Sequence, residues 1–127
     1  MSITIDHGTI HAGTARLGIR EIVRRLNAAL GATLVGGLAG SRTRGISYKW
    51  QKADGPEPGA EATQRLQLAH RAWTTVSSVE GDDVARLWFI GSNPWLNEDS
   101  PIDAIRSLRS KDVMDAAEAM VEGRFSG

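Results

Sequence analysis

The sequence predicts an all-α protein: helix-turn-helix-like helices at the N-terminal end, followed by a small helical bundle. Three observations carry that prediction. Apolar residues recur at steps of three and four in separate stretches, as in Ile19, Ile22, Val23, Leu26 and Leu30. Glycines and Asn-Pro or Ser-Pro pairs punctuate those stretches at helix-length intervals. Alternation with period two appears only at Ile3 and Ile5, and no internal repeat is present.

Residues 1–13 have no helical period and contain two glycines; they read as a flexible arm, with a short strand as the alternative. Helical spacing starts near Thr14, and the Ile19–Leu30 stripe predicts the first helix. Gly31 suits its C-cap, and Arg20, Arg24 and Arg25 fall off the stripe, toward solvent. Ala32 to Ala39 predicts a second short helix, in which Gly36 and Gly37 imply either close helix approach or a weak helix. Gly40-Ser41-Arg42-Thr43-Arg44-Gly45 reads as a turn. Ile46 to Ala53 follows as a third helix, with Ile46 and Trp50 on one face and Ser47, Tyr48 and Lys49 directed elsewhere.

Pro56 and Pro58 in Asp54–Gly59 cannot continue a helix, so residues 56–60 read as a linker between a region 14–55 and a region 61–127. Ala62, Leu66, Ala69, Trp73 and Val76 then mark one face of a long helix. Glu80-Gly81-Asp82 breaks it, with Asp82 the expected N-cap of a helix whose Val84, Leu87 and Trp88 share a face. Asn93-Pro94 and Ser100-Pro101 have the form of helix starts, the second with Asp103 at N3 as a capping-box variant. Ser110 is expected to cap the last helix, with Val113, Ala116, Ala117, Met120 and Val121 as its buried stripe and Gly123 as its stop.

Composition narrows the chemistry. At 41% hydrophobic and 24% charged the chain suits a globular protein. With no cysteine it has no disulfide, no thiolate metal site and no thiol nucleophile, which fits a cytoplasmic protein. The uncharged run Ala32–Ser41 is half the length of a membrane span, and no secretory leader is recognisable. His7 and His11 with Asp6 have metal-ligand spacing only if helical, and Gly8 argues against that. His70 reads as a packed or surface histidine. Gly36–Ser41 lacks the lysine and the preceding strand of a phosphate loop. No catalytic constellation emerges, and the expectation is a non-enzyme without cofactor or metal.

The zero net charge hides an asymmetry. Residues 1–55 hold eight Arg and Lys against three carboxylates, a balance of +5, whereas residues 56–127 hold seven against twelve, a balance of −5. Arg42, Arg44, Lys49 and Lys52 cluster at and after the predicted turn, where a helix-turn-helix meets phosphates. Ser47, Tyr48, Lys49 and Gln51 offer donors and acceptors to base edges. The spacing departs from the usual motif, because Ile46 and Trp50 are four residues apart where three is the norm. A solvated basic face is the plainer alternative.

The second half carries Trp88-Phe89-Ile90-Gly91-Ser92-Asn93-Pro94-Trp95-Leu96, then Ser100-Pro101-Ile102-Asp103-Ala104-Ile105, and closes on Glu118 to Phe125. In order and spacing, from about Leu66 to Phe125, this resembles the toxin-binding domain of the MbcA/ParS/Xre antitoxins. The resemblance implies a partner of the RES fold, a toxin that consumes NAD or transfers ADP-ribose from it. It implies that the C-terminal segment (Glu122, Gly123, Arg124, Phe125, Ser126 and Gly127) covers the toxin's active-site entrance, and that the antitoxin, expected as a homodimer, binds its operator DNA. Arg124 and Phe125 suit a cleft for a phosphate-bearing dinucleotide, one as an anion partner and one as an apolar plug. Trp95 reads either as an interface anchor or as core. Two other functions compete: a stand-alone helix-turn-helix regulator and a helical interaction module that does not bind DNA.

Overall fold

Residues 18–123 are described in the computed structural model, and they form seven α-helices and one 3-10 turn, with no strand among them. The helices are α1 (Ile19–Leu30), α2 (Ala32–Leu38), α3 (Ile46–Trp50), α4 (Ala60–Glu80), α5 (Asp82–Ile90), α6 (Pro101–Arg106) and α7 (Ser110–Gly123); the 3-10 turn covers Pro94–Leu96. The arm 1–13 and the stretch 14–17 lie outside the described residues, as do 124–127.

The stripe of α1 is buried as its spacing requires, through Ile22, Val23, Leu26 and Leu30. Gly31 closes the helix, its N–H donating to the Asn27 carbonyl at 2.9 Å. α4 is the spine of the molecule. It packs on α1 and α2 on one side and on α5, α6 and α7 on the other. Leu66 and Leu68 are both fully buried although they point about 200° apart around the helix. The predicted face was therefore half of the answer; Leu68, His70, Ala72 and Thr75 are buried too. The loop 56–59 lies between α3 and α4, yet the buried residues on its two sides form one continuous core. At the centre of the C-terminal part Phe89 meets Trp88 edge-on at 5.2 Å and Trp73 at 5.9 Å.

Several local expectations are corrected. The third helix stops at Trp50 rather than Ala53. Gly81, not Asp82, is the N-cap of α5, and Asp82 lies in its first turn. The buried face of α5 is Ala85, Trp88 and Phe89, while Val84, Leu87 and Ile90 point outward and Leu87 is 67% exposed. An i, i+3 pair on a short helix could face either way; the bulk of Phe89 decides. Ser110 is the first residue of α7, and its hydroxyl donates to the Leu108 carbonyl instead of capping. The Gly36–Gly37 pair sits inside α2, yet a methyl on Gly36 would stand 3.7 Å from Ile46 Cγ2, an ordinary contact.

The proline starts hold. Asn93 Oδ1 accepts from the Trp95 N–H at 2.9 Å and Ser100 Oγ from the Asp103 N–H at 3.1 Å. Asp103 does not complete the box, because its carboxylate is turned to Arg106 at 3.0 Å. No helix among the described residues is long and apolar enough to cross a membrane.

Candidate nucleic-acid interface and partner-binding cleft

The predicted helix-turn-helix region is built as a clamped unit. Gly45, at φ 72°, starts α3, and Ile46 settles half-buried beside Gly36 while Trp50 enters the core. Ser47 is fully buried, its hydroxyl donating to the Ala32 carbonyl at 3.1 Å. This fixes α3 against the start of α2 and removes Ser47 from the side chains that could touch a base. Asn27 of α1 donates to the Ser47 carbonyl and to Gln51 Oε1, at 3.1 and 2.8 Å, so Gln51 is half-buried and already engaged.

The far end of α3 is held by Arg20. Its guanidinium donates to the carbonyls of Trp50, Lys52 and Gly55, and it lies 3.8 Å from Glu57. Sequence reasoning sent Arg20 to solvent, but its side chain is only 25% exposed. Gly55 makes this fold-back possible, since a Cβ there would collide with the Lys49 carbonyl oxygen. Arg24 and Arg25 do face outward, where both hydrogen-bond Glu21 and hold its carboxyl down at about 2.

Five of the seven predicted nucleic-acid contacts remain on the surface: Arg42, Arg44, Tyr48, Lys49 and Lys52. Arg42 and Arg44 stand in the turn, and Tyr48 and Lys49 are the outward positions of α3. A five-residue helix is about 7 Å long, and with Ile46, Ser47 and Trp50 turned inward it presents little to a groove. The cations suit phosphates better than this helix suits base edges.

At the opposite end of the chain, Trp95 is 62% exposed. Asn93 holds the backbone of its loop. The buried Asn93 caps the Trp95 N–H, its own N–H donates to the Asp99 carbonyl at 3.1 Å, and its carbonyl accepts from Leu96 and Glu98, both at 2.9 Å. Leu96 goes fully into the core, and Asn97 and Glu98 take left-handed backbone, φ 55° and 70°, to bring the chain back. Arg109 then ties Asp99 to the start of α7 at 3.2 Å. So the Asn93–Leu96 loop is divided, with Leu96 core and Trp95 surface.

Trp95 forms one wall of a cavity of about 420 Å³ whose other walls are Asp115, Glu118, Ala119, Glu122 and Gly123 of α7. Three predicted toxin-binding residues, Trp95, Glu122 and Gly123, thus meet at one place; Arg124, Phe125, Ser126 and Gly127 lie outside the described residues. The cleft is an aromatic plate beside carboxylates, chemistry that receives cationic and aromatic groups. Among the described residues no group of three or more His, Cys, Asp or Glu could hold a metal ion; the His7–His11 pair lies outside them. Sequence reasoning missed Arg20, Asn27, Arg65 and Arg106, each of which reaches across the fold to a backbone carbonyl. No local signal marks such long-range donors.

No protein-family model, curated protein or solved structure matches this chain.

Proposed function

We propose that this protein is an antitoxin. In this reading it neutralises a RES-fold, NAD-consuming or ADP-ribosylating toxin with its C-terminal segment and represses its own operon as a DNA-bound homodimer. The observation that carries the reading is Trp95: exposed, pinned by Asn93, and sharing a cleft with the C-terminal end of α7. An exposed Trp on a hydrogen-bonded loop offers a large apolar area to an interface, which is the usual character of a binding hot spot. Glu122 and Gly123 line the cleft beside it, and in the sequence Arg124 and Phe125 follow with side-chain chemistry that suits a dinucleotide-shaped entrance. The basic turn supplies the second activity.

Co-expression with the RES-fold toxin tests the reading. The full chain should restore growth and co-purify with the toxin, and deletion of 123–127 should abolish both. Trp95→Ala should weaken the complex by about 30-fold, the effect of losing one hot spot. Full neutralisation by the truncated chain would remove the C-terminal segment from the mechanism. For operator binding, four phosphate contacts by Arg42, Arg44, Lys49 and Lys52 give a log–log salt slope of about −3.6. Binding indifferent to salt would exclude a phosphate-contacting face.

A further inference from the structure

Two arginines far apart in sequence converge beside the turn. Arg65 of α4 donates through Nε to the Arg106 carbonyl at 2.8 Å and through Nη1 to the Ala39 carbonyl at 3.3 Å. Arg106 of α6 donates through Nε to the Gly37 carbonyl at 2.9 Å. Together with Arg42, Ser41, Gly37 and Gly40 they line a cavity of about 470 Å³. Gly40 is at φ +86°, and a Cβ there would stand 2.9 Å from Arg65 Nη1, so the guanidinium occupies space that only glycine leaves open. A second cavity of about 250 Å³, which shares Gly37, Ser41 and Arg42, continues along α2 to Arg44. No carboxylate lines either cavity.

We infer that this four-arginine trough is a seat for the phosphodiester backbone of duplex DNA, made partly by helices outside the helix-turn-helix region. The inference rests on the DNA-binding part of the function proposed above. The carbonyl bonds aim the two guanidinia without exhausting them. Of five N–H groups each, Arg65 uses three and Arg106 two, counting the pairs with Glu61 at 3.4 Å and Asp103 at 3.0 Å. Both of those carboxylates are exposed partners, which hold a guanidinium only weakly. Arg42 and Arg44 make no hydrogen bond or ion pair with any described residue, and both are exposed. Fixed guanidinia bind phosphate at low entropic cost, and Arg's planar fork matches two phosphate oxygens at once. A polyanionic strand, rather than a single small anion, answers to a trough that runs on from one cavity to the next.

The test uses the full chain, a labelled duplex of its promoter, and fluorescence anisotropy across a salt series. Arg65→Gln and Arg106→Gln should each weaken binding at least about tenfold, the effect of losing charge-assisted hydrogen bonds, and together flatten the salt slope by about 0.9, one phosphate. Circular dichroism checks that both variants fold. Arg42→Gln, which removes no internal bond, should weaken binding likewise and serves as the arm that cannot fail by unfolding. If Lys49→Gln and Lys52→Gln, which lie outside the trough, weaken binding while Arg42→Gln and Arg106→Gln do not, the trough is not a phosphate seat and the DNA-binding reading survives. If the unaltered chain ignores the duplex, both fall. Inorganic phosphate, followed at the Nε–Hε resonances of Arg65 and Arg106, separates the sources. Shifts produced by phosphate but not by duplex would overturn the duplex as the occupant.

Discussion

Single side chains decide more here than their spacing suggests. Arg20 satisfies three carbonyls at and beyond the end of α3, and Arg20→Ala should cost about 1–2 kcal/mol, read as a lowered urea midpoint with an unchanged m-value. A loss of only a few tenths would mean that water replaces the guanidinium there. His70 belongs to the same scale. Burial pushes its pKa below the ordinary 6.5, the Arg25 charge acts in the same direction, and Glu21 opposes them. The unfolded chain therefore takes up the proton first as pH falls. Stability from neutral His70 is complete above pH about 6.5 and is lost progressively below it, until the folded histidine itself protonates. His70→Gln should flatten the fall of Tm between pH 7 and pH 5, and parallel curves for the two proteins would refute this account. The sequence showed which residues were basic but not where they end up. Arg42 and Arg44 were legible as turn cations because nothing local could bury them. Arg20, Arg65 and Arg106 were not, because their partners are backbone carbonyls more than twenty residues away. Ser47 was misplaced for the same reason, its acceptor lying on α2.

At the scale of elements, periodicity worked where a helix has one buried side and failed where it has two or is very short. The stripe of α1 was legible, and that of α7 was legible through Val113, Ala116 and Ala117, whereas Met120 and Val121 are only half-buried; the Asn93 and Ser100 starts were legible too, since capping chemistry is local. α5 was read with its outer residues inside, because nine residues hold too few turns to fix a face against a neighbour as large as Phe89. α2 yields a prediction of opposite sign to most. Gly36 has room for a methyl at an ordinary 3.7 Å from Ile46 Cγ2. Gly36→Ala should therefore stabilise the protein by about 0.5–1 kcal/mol, raising Tm by about 2–4 °C. A fall in Tm would show that the α2–α3 contact is tighter than that distance implies. Gly55→Ala should do the reverse, because the added carbon meets the Lys49 carbonyl rather than a yielding side chain.

In the whole molecule the basic and acidic ends share one core, organised by α4. Pro56 and Pro58 suggested a linker between two regions, and the charge balance changes sign at the same place, but a helix break and a surface charge say nothing about how the interior is divided. Unfolding should therefore be a single transition. Variants that keep only Trp50 or only Trp88 as fluorophore should report the same denaturant midpoint, and separated midpoints would mean that the two ends melt independently. Phe89→Ala, at a site with no exposure, should cost about 3–5 kcal/mol, and it should lower the midpoint seen by Trp50 as much as that seen by a C-terminal probe. The double duty of α4 also limits how such a protein can be recombined. A chimera joined at Gly59, with a foreign head grafted before Ala60, would leave the α1-facing side of α4 bare to water. Any viable exchange of heads must bring its own complementary ridge for that side, so shuffling by simple concatenation is closed to this architecture.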